Sequence, residues 1–405
     1  MTPLPAHLDL ATTPVVDKGD PARPSWRTVF EALTLPLFFV VMFSVCYISA
    51  FHAPQPHDAP LVIVGAAEQT SAVIDAIEEE SPDGFDLTST TSAESAIDSI
   101  KSRDAMGAIE LGETVTVYVA TGAGASTVSL VKSVAQTIAD ESALDVEVTD
   151  LAPVPDGDAS ATGLFYMLII CTIGGYLTVT ILGQAVSGLK LSRKYAVLGG
   201  AAVVTPLIIF GIASIFQAWE GASAEAILAM LAIAVAYTFT VGVISIVADQ
   251  LIGPAAIFLV AAIAIFLNFP SSGGAIALPL LPEFWQWMHS FWLGSGAMES
   301  MRSVIYFDGN GAGEWIAHLG IWLGTALLLS GIVHFVKLLL ARSASAVQFP
   351  KDLIERARLQ AKADDRTLSG WMTHTIANKL EQNALTERSD TADETPGRSE
   401  SPVTL

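Results

Sequence analysis

Residues 266–309 read FLNFPSSGGAIALPLLPEFWQWMHSFWLGSGAMESMRSVIYFDG, and the folding of their neighbours turns on this stretch. It lies between two apolar segments long enough to cross a bilayer. It is too rich in Pro and Gly to continue either helix, and too aromatic for a solvated loop. Phe284, Trp285, Trp287, Phe291 and Trp292 fall where rings sit at a membrane–water boundary. Pro270, Pro279 and Pro282 punctuate its first part. Residues 283–292 fit a short helix lying flat at the interface, and Arg302 follows beside Ile305, Tyr306 and Phe307. The stretch reads as a re-entrant or interfacial cap over 270–310, marked by Pro282, Trp285, Trp287, Trp292, Arg302 and Tyr306.

Outward from the cap, the composition agrees. The 405 residues are 52% hydrophobic and only 15% charged, with a mean hydropathy of +0.52. Soluble chains carry about 25% charged residues. Several apolar runs exceed the roughly 18 residues needed for a spanning helix. Six spans are expected, near 32–51, 164–186, 195–216, 226–247, 252–269 and 315–340. Pro206 is expected to kink the third. A cleaved signal peptide competes for the first run, but its apolar core would be only about 7–15 residues. The net charge of −21 disfavours nucleic acid as a partner of the whole chain.

Residues 1–24 have no apolar period and read as a disordered tail. Residues 25–51 hold a short amphipathic entry, with Ser25 as N-cap, and then span one. Residues 52–161 change character: strands and amphipathic helices alternate, as in a compact α/β domain with its own small core. This domain is acidic, through Glu78-Glu79-Glu80, Asp83, Asp86, Asp140, Glu141, Asp145 and Glu147. A divalent-cation site is the sharper reading of these residues; a solvated face is the plainer one and is preferred. Residues 162–345 carry the remaining spans and the cap.

Basic residues set the orientation. Lys18, Arg23 and Arg27, then Lys190, Arg193 and Lys194, then Lys337 and Arg342 all fall on one side of a six-span arrangement. The positive-inside rule makes that side cytoplasmic, with both termini, and places the α/β domain and the cap outside.

The cap carries a resemblance. Asn268-Phe269-Pro270-Ser271-Ser272-Gly273-Gly274, then Leu281-Pro282 with Phe284-Trp285, then Ala297 with Met301-Arg302 and Ile305-Tyr306-Phe307, is similar to the last extracellular segment of ABC-2-type membrane proteins. Within that group it most resembles the phage-infection-protein-like (YhgE/Pip-like) branch. Ser92 to Ile109 resembles the middle of the extracytoplasmic α/β domain that this family places between spans one and two. The resemblance implies a permease subunit with an interfacial elbow helix before span one, acting as a homodimer with a separate cytoplasmic ATPase. Trp26 and Arg27 of the elbow, with Lys190, Arg193 and Lys194 of the second cytoplasmic loop, are where that ATPase would touch. The apolar spans suggest an amphiphilic, lipid-like or peptide-like cargo.

Residues 346–384 resemble a ribbon–helix–helix module of the Arc/MetJ/CopG type. Val347-Gln348-Phe349-Pro350 is the strand signal, and amphipathic helices follow over 351–364 and 370–383. By this resemblance Val347 and Phe349 are buried strand positions, and they join Trp371 in a dimerisation surface. The base-facing positions would be Ala344, Ala346 and Gln348, which offer little readout. Self-association or docking is therefore preferred to DNA binding. Residues 385–405 read as a disordered acidic tail.

Catalytic and cofactor motifs are missing from the sequence. Gly122-Ala123-Gly124 lacks the Lys of a P-loop, and the seven histidines show no ligand spacing. Cys46 and Cys171 lie in apolar runs and are read as packed residues rather than a redox pair. No enzyme activity, cofactor or metal is expected of this chain. A non-transporting surface receptor or scaffold remains the alternative function, with a membrane-tethered DNA-binding regulator behind it.

Overall fold

The computed structural model describes residues 25–186, 188–344 and 351–393. The expectations for 1–24, for Val347 and Phe349, and for 394–405 lie outside the described residues. Two compact units divide the chain, one ending at His334 and the other beginning at Phe335.

Helix α1 (Trp26–Phe51) opens the first unit, and the Ser25 hydroxyl accepts the Thr28 N–H at 3.3 Å as its cap. The separate elbow expected over 25–31 merges into this helix. Glu31 and Ala32 offer no break, and Pro36 is carried inside it.

The α/β domain follows as β1 (Ala59–Val64), α2 (Ala67–Glu80), β2 (Phe85–Thr90), α3 (Ala93–Lys101), β3 (Gly107–Leu111), β4 (Val115–Val119), α4 (Ala125–Ser142) and β5 (Val146–Asp150). The strands form one sheet in the order β2-β1-β3-β4-β5, parallel except for the β3–β4 hairpin. Interior strand β1 reads APLVIV because both of its faces are covered. Edge strands β2 and β5 alternate with polar residues. One face of the sheet packs Leu61, Ile63, Ile109 and Val117 against α2 and α4. The other packs Val62, Val64 and Ala108 against Ala96 and Ile100 of α3 and against Phe307 of the cap. Each buried Leu, Ile or Val side chain among these contributes about 1.5–3 kcal/mol. The cap is thus part of the domain's second core.

Next come α5 (Gly163–Ala185), α6 (Leu191–Ile215) and α7 (Ala224–Ile252). Gly253 (φ +59°) and Pro254 end α7, and the chain turns back. The return is broken where a single span was expected over 252–269. It consists of α8 (Ala256–Ala261), a π-helical turn over Ala262–Phe266 and the short α9 (Asn268–Ser271). The Leu267 N–H reaches back five residues to the Ala262 carbonyl at 3.0 Å, which inserts the extra residue of a π-turn. Helices α10 (Glu283–His289) and α11 (Leu293–Tyr306) form the cap, and α12 (Ala312–Ala344) follows.

Among the described residues, five helices are long and apolar enough to cross a membrane: Trp26–Phe51, Gly163–Ala185, Leu191–Ile215, the 48-residue Ala224–Ser271 and Ala312–Ala341. Within the fourth, the return segment lies against α7. The Asn268 amide donates to the Tyr237 hydroxyl at 2.8 Å, and the Tyr176 hydroxyl of α5 donates to the Ile257 carbonyl at 3.2 Å. The Thr172 hydroxyl gives its proton to the Leu168 carbonyl, so the Tyr237 hydroxyl donates to Thr172, at 2.6 Å. Cys46 and Cys171 are free and buried.

In the second unit, α13 (Lys351–Ala363) and α14 (Leu368–Asp393) form a helical hairpin. Ala357 and Ala361 are buried, whereas Leu353 is half exposed. Helix α14 continues to Asp393, past the expected start of disorder at 385. No Gly or Pro interrupts it between Trp371 and Asp393.

Candidate functional site

The α/β domain meets the cap at a buried ionic cluster. Helix α3 ends at Lys101, and Arg103 takes the left-handed conformation (φ +72°) that usually calls for Gly after a helix. The turn is closed by the Arg103 N–H to the Ile100 carbonyl at 3.1 Å and the Asp104 N–H to the Ser99 carbonyl at 2.9 Å. A non-Gly residue there is strained by about 1–2 kcal/mol, and the guanidinium shows what offsets that strain. It donates to the Glu299 carboxylate, to the Glu299 carbonyl at 3.2 Å and to the Ser303 hydroxyl at 2.6 Å, all on α11. Its plane also lies 5.3 Å from the centre of the Phe307 ring.

Glu299 takes a second guanidinium, Arg302, one turn along α11. Arg302 also donates to the Gly273 carbonyl at 2.8 Å, tying α11 to the loop after α9. Gly273 sits at φ +72°, and a Cβ there would meet Glu299 Oε1 and His289 Cε1 at 3.1 Å, so the position admits no side chain without displacement. His289, at the end of α10, donates from Nδ1 to the Ser271 carbonyl at 2.8 Å. That bond fixes the tautomer and leaves Nε2 as an acceptor.

Electrostatics follow from burial. The Glu299 and Arg302 side chains are 5% and 8% exposed, and that of Arg103 is 20% exposed. Burial alone would raise the Glu299 pKa, but the Arg302 and Arg103 charges outweigh it and hold the carboxyl at about 2. Burial also lowers the His289 pKa, aided by both guanidiniums and opposed by Glu299, so the ring is neutral.

Around the cluster lies a cavity of about 390 Å³. Arg103, Arg302, Glu299 and His289 line it, with Met106, Leu278, Phe307 and Trp315 as apolar wall. Glu314 and Asp104 also border it and are solvent-exposed. Further bonds seal the junction: the His57 N–H to the Pro279 carbonyl at 2.8 Å, and the Ala277 N–H to the Ser126 hydroxyl at 2.9 Å. Asp158, at the domain exit, accepts the Thr162 and Gly163 N–H groups at the start of α5, both at 2.9 Å. The Tyr306 hydroxyl approaches the same carboxylate at 3.4 Å.

The residues expected to mark the cap divide into two sets. Trp285 is buried, and Trp292 turns inward to donate to the Ile263 carbonyl at 3.1 Å. Trp287 is exposed and stacks edge-on with Phe291, so this face keeps the expected interfacial rings. Pro282 caps α10. Arg302 and Tyr306 belong to the buried junction and not to an exposed rim.

The basic residues expected at the far end of the helices are also not equivalent. Trp26 is exposed, and Arg27 pairs with Glu31 one turn on. Lys190 and Arg193 are exposed at the start of α6, whereas Lys194 bonds Asp249 of α7 at 2.6 Å. In the tail, the Trp371 indole donates to Asp364 at 2.9 Å.

Arg103, Glu299, His289 and Asp158 escaped the sequence reading as a group. Their only local signal is Glu299 and Arg302, three apart on one helix face between apolar and small residues. Arg103 lies 196 positions from Glu299, and nothing local announces that pairing.

The architecture is that of a helical membrane protein carrying a mixed α/β domain. No family model matches the chain, and no curated protein or solved structure matches it.

Proposed function

We propose that the chain is the membrane permease subunit of an ABC-2-type exporter. It would act as a homodimer with a separate cytoplasmic ATPase and move an amphiphilic cargo. On this reading Ala224–Ser271 crosses twice, giving six spans with both termini cytoplasmic. The observation that carries the reading is the order of parts. An α/β domain is inserted after the first apolar helix, and the two cap helices α10 and α11 are inserted before the last. That is the order the sequence resemblance implies.

The exposed Lys190 and Arg193 are the coupling residues of this reading, and Lys194 holds α6 to α7 instead. Mild-detergent isolation of the tagged protein, with mass spectrometry and an ATPase assay, tests it. A stoichiometric nucleotide-binding subunit, released by Lys190→Ala with Arg193→Ala while the membrane subunit stays folded, is the expected result. A homodimer without any ATPase would sink the exporter reading and favour a surface receptor or scaffold.

A further inference from the structure

The charges at the domain–cap junction do not balance. Two guanidiniums meet one carboxylate, Glu299, and His289 adds no charge. Buried charges are ordinarily paired. The hydrogen bonds of Arg103 use three of its five N–H donors, and those of Arg302 use two. Both residues line the 390 Å³ cavity, so their unused donors border a space that opens to solvent. Cavities of a few hundred Å³ with an apolar wall and a few polar groups are typical of small-molecule sites.

The solvent-exposed carboxylates point to the second half of the ligand. Glu314 and Asp104 border the same cavity where it meets solvent. They would attract an ammonium. Met106, Leu278 and Trp315 provide apolar wall beside them. We propose that this cavity binds a zwitterionic phosphate–ammonium head group. The phosphate takes the spare donors of Arg103 and Arg302, and the ammonium rests at Glu314 and Asp104. A phosphoethanolamine unit has this chemistry, either as the head of a phospholipid or free.

The proposal rests on the exporter reading only for calling the ligand a cargo. Binding is measured without an ATPase, so the two can fail separately. Titration calorimetry on the purified full chain would compare dihexanoyl phosphatidylethanolamine, dihexanoyl phosphatidylglycerol, free phosphoethanolamine and ethanolamine. The short-chain ethanolamine lipid should saturate one site and bind about tenfold tighter than the glycerol lipid. Ethanolamine alone should not bind. Glu314→Gln, on an exposed side chain, should erase most of that preference. Arg103→Gln should abolish binding of both lipids, and a retained cooperative melt would show that the variant folds. Inorganic phosphate should compete.

Free phosphoethanolamine matching the lipid would keep the site and assign it to a soluble ligand; a clear advantage for the lipid assigns it to the membrane. Equal binding of the two lipids with no effect of Glu314→Gln, or the absence of saturable binding, would overturn the proposal.

Discussion

Two ionic sites tie distant parts of the chain at opposite ends of the apolar helices, and they are built differently. At the domain–cap junction, Arg103, Glu299 and Arg302 form a three-way cluster whose carboxylate is almost sealed. At the other end, Lys194 and Asp249 form a simple pair with side chains 15% and 29% exposed. The first joins residues 196 apart through a strained turn and needs Gly273 to leave room. The second joins two neighbouring helices and needs no special backbone. A sealed cluster is costly to break, because each lost partner strands a charge. A partly wet pair is adjustable, because water and salt replace what is lost. The junction therefore has the character of a fixed bolt, and the far end that of a contact open to adjustment.

The sharpest way to break this contrast is Glu299→Ala. It leaves two guanidiniums facing each other and should cost about 3–5 kcal/mol. A thermal melt in detergent, with limited proteolysis of the α/β domain, would read the loss. A cost below about 1 kcal/mol would mean that the junction is wet and the contrast is wrong.

Acid should act on the same bolt. His289 is neutral when folded because burial lowers its pKa from the ordinary 6.5, so an unfolded chain takes up a proton that the folded chain refuses. Its contribution is present above pH 6.5 and declines as pH falls. Glu299, held at about 2 instead of 4.5, adds a second loss as pH falls from 4.5 towards 2. Stability measured from pH 8 to 3 should fall in these two stages. His289→Gln should flatten the first stage and leave the second.

A smaller effect isolates the strained turn. Arg103→Ala and Arg103→Gly lose the same guanidinium, but Gly relieves the left-handed strain. The Gly variant should be the more stable of the two by about 1 kcal/mol. Equal stability would show that the turn itself carries no strain.

The least effect is expected at the far end. Lys194→Ala should cost less than about 1 kcal/mol, and the difference from the parent should shrink as salt rises. An Arg103–Glu299 double-mutant cycle should keep its coupling under the same salt. Loss of both couplings together would place the two sites in the same class.

Much of the architecture was legible because it rests on local periodicity. The apolar runs announced the membrane helices, and the change at residue 52 announced the sheet. The break between 247 and 252 was legible, although not the π-turn that follows, since one inserted residue leaves the hydrophobic pattern almost unchanged. The elbow was overread: amphipathic entry residues without a breaker simply extend α1. The cap was legible as a cap, but its residues were sorted wrongly. Trp285, Trp287 and Trp292 look alike in sequence, and only helix direction and a carbonyl from Ile263 separate buried from exposed.

The sequence by itself determined the class of protein, a helical membrane chain with an inserted α/β domain and an aromatic cap. Hydropathy and period are properties of neighbouring residues, so they survive without the fold. Tertiary structure alone decided the junction. Arg103 of the α/β domain, Gly273 of the loop and Glu299 of the cap share no local pattern. They become a site because a buried carboxylate must find its counter-charges wherever the fold brings them.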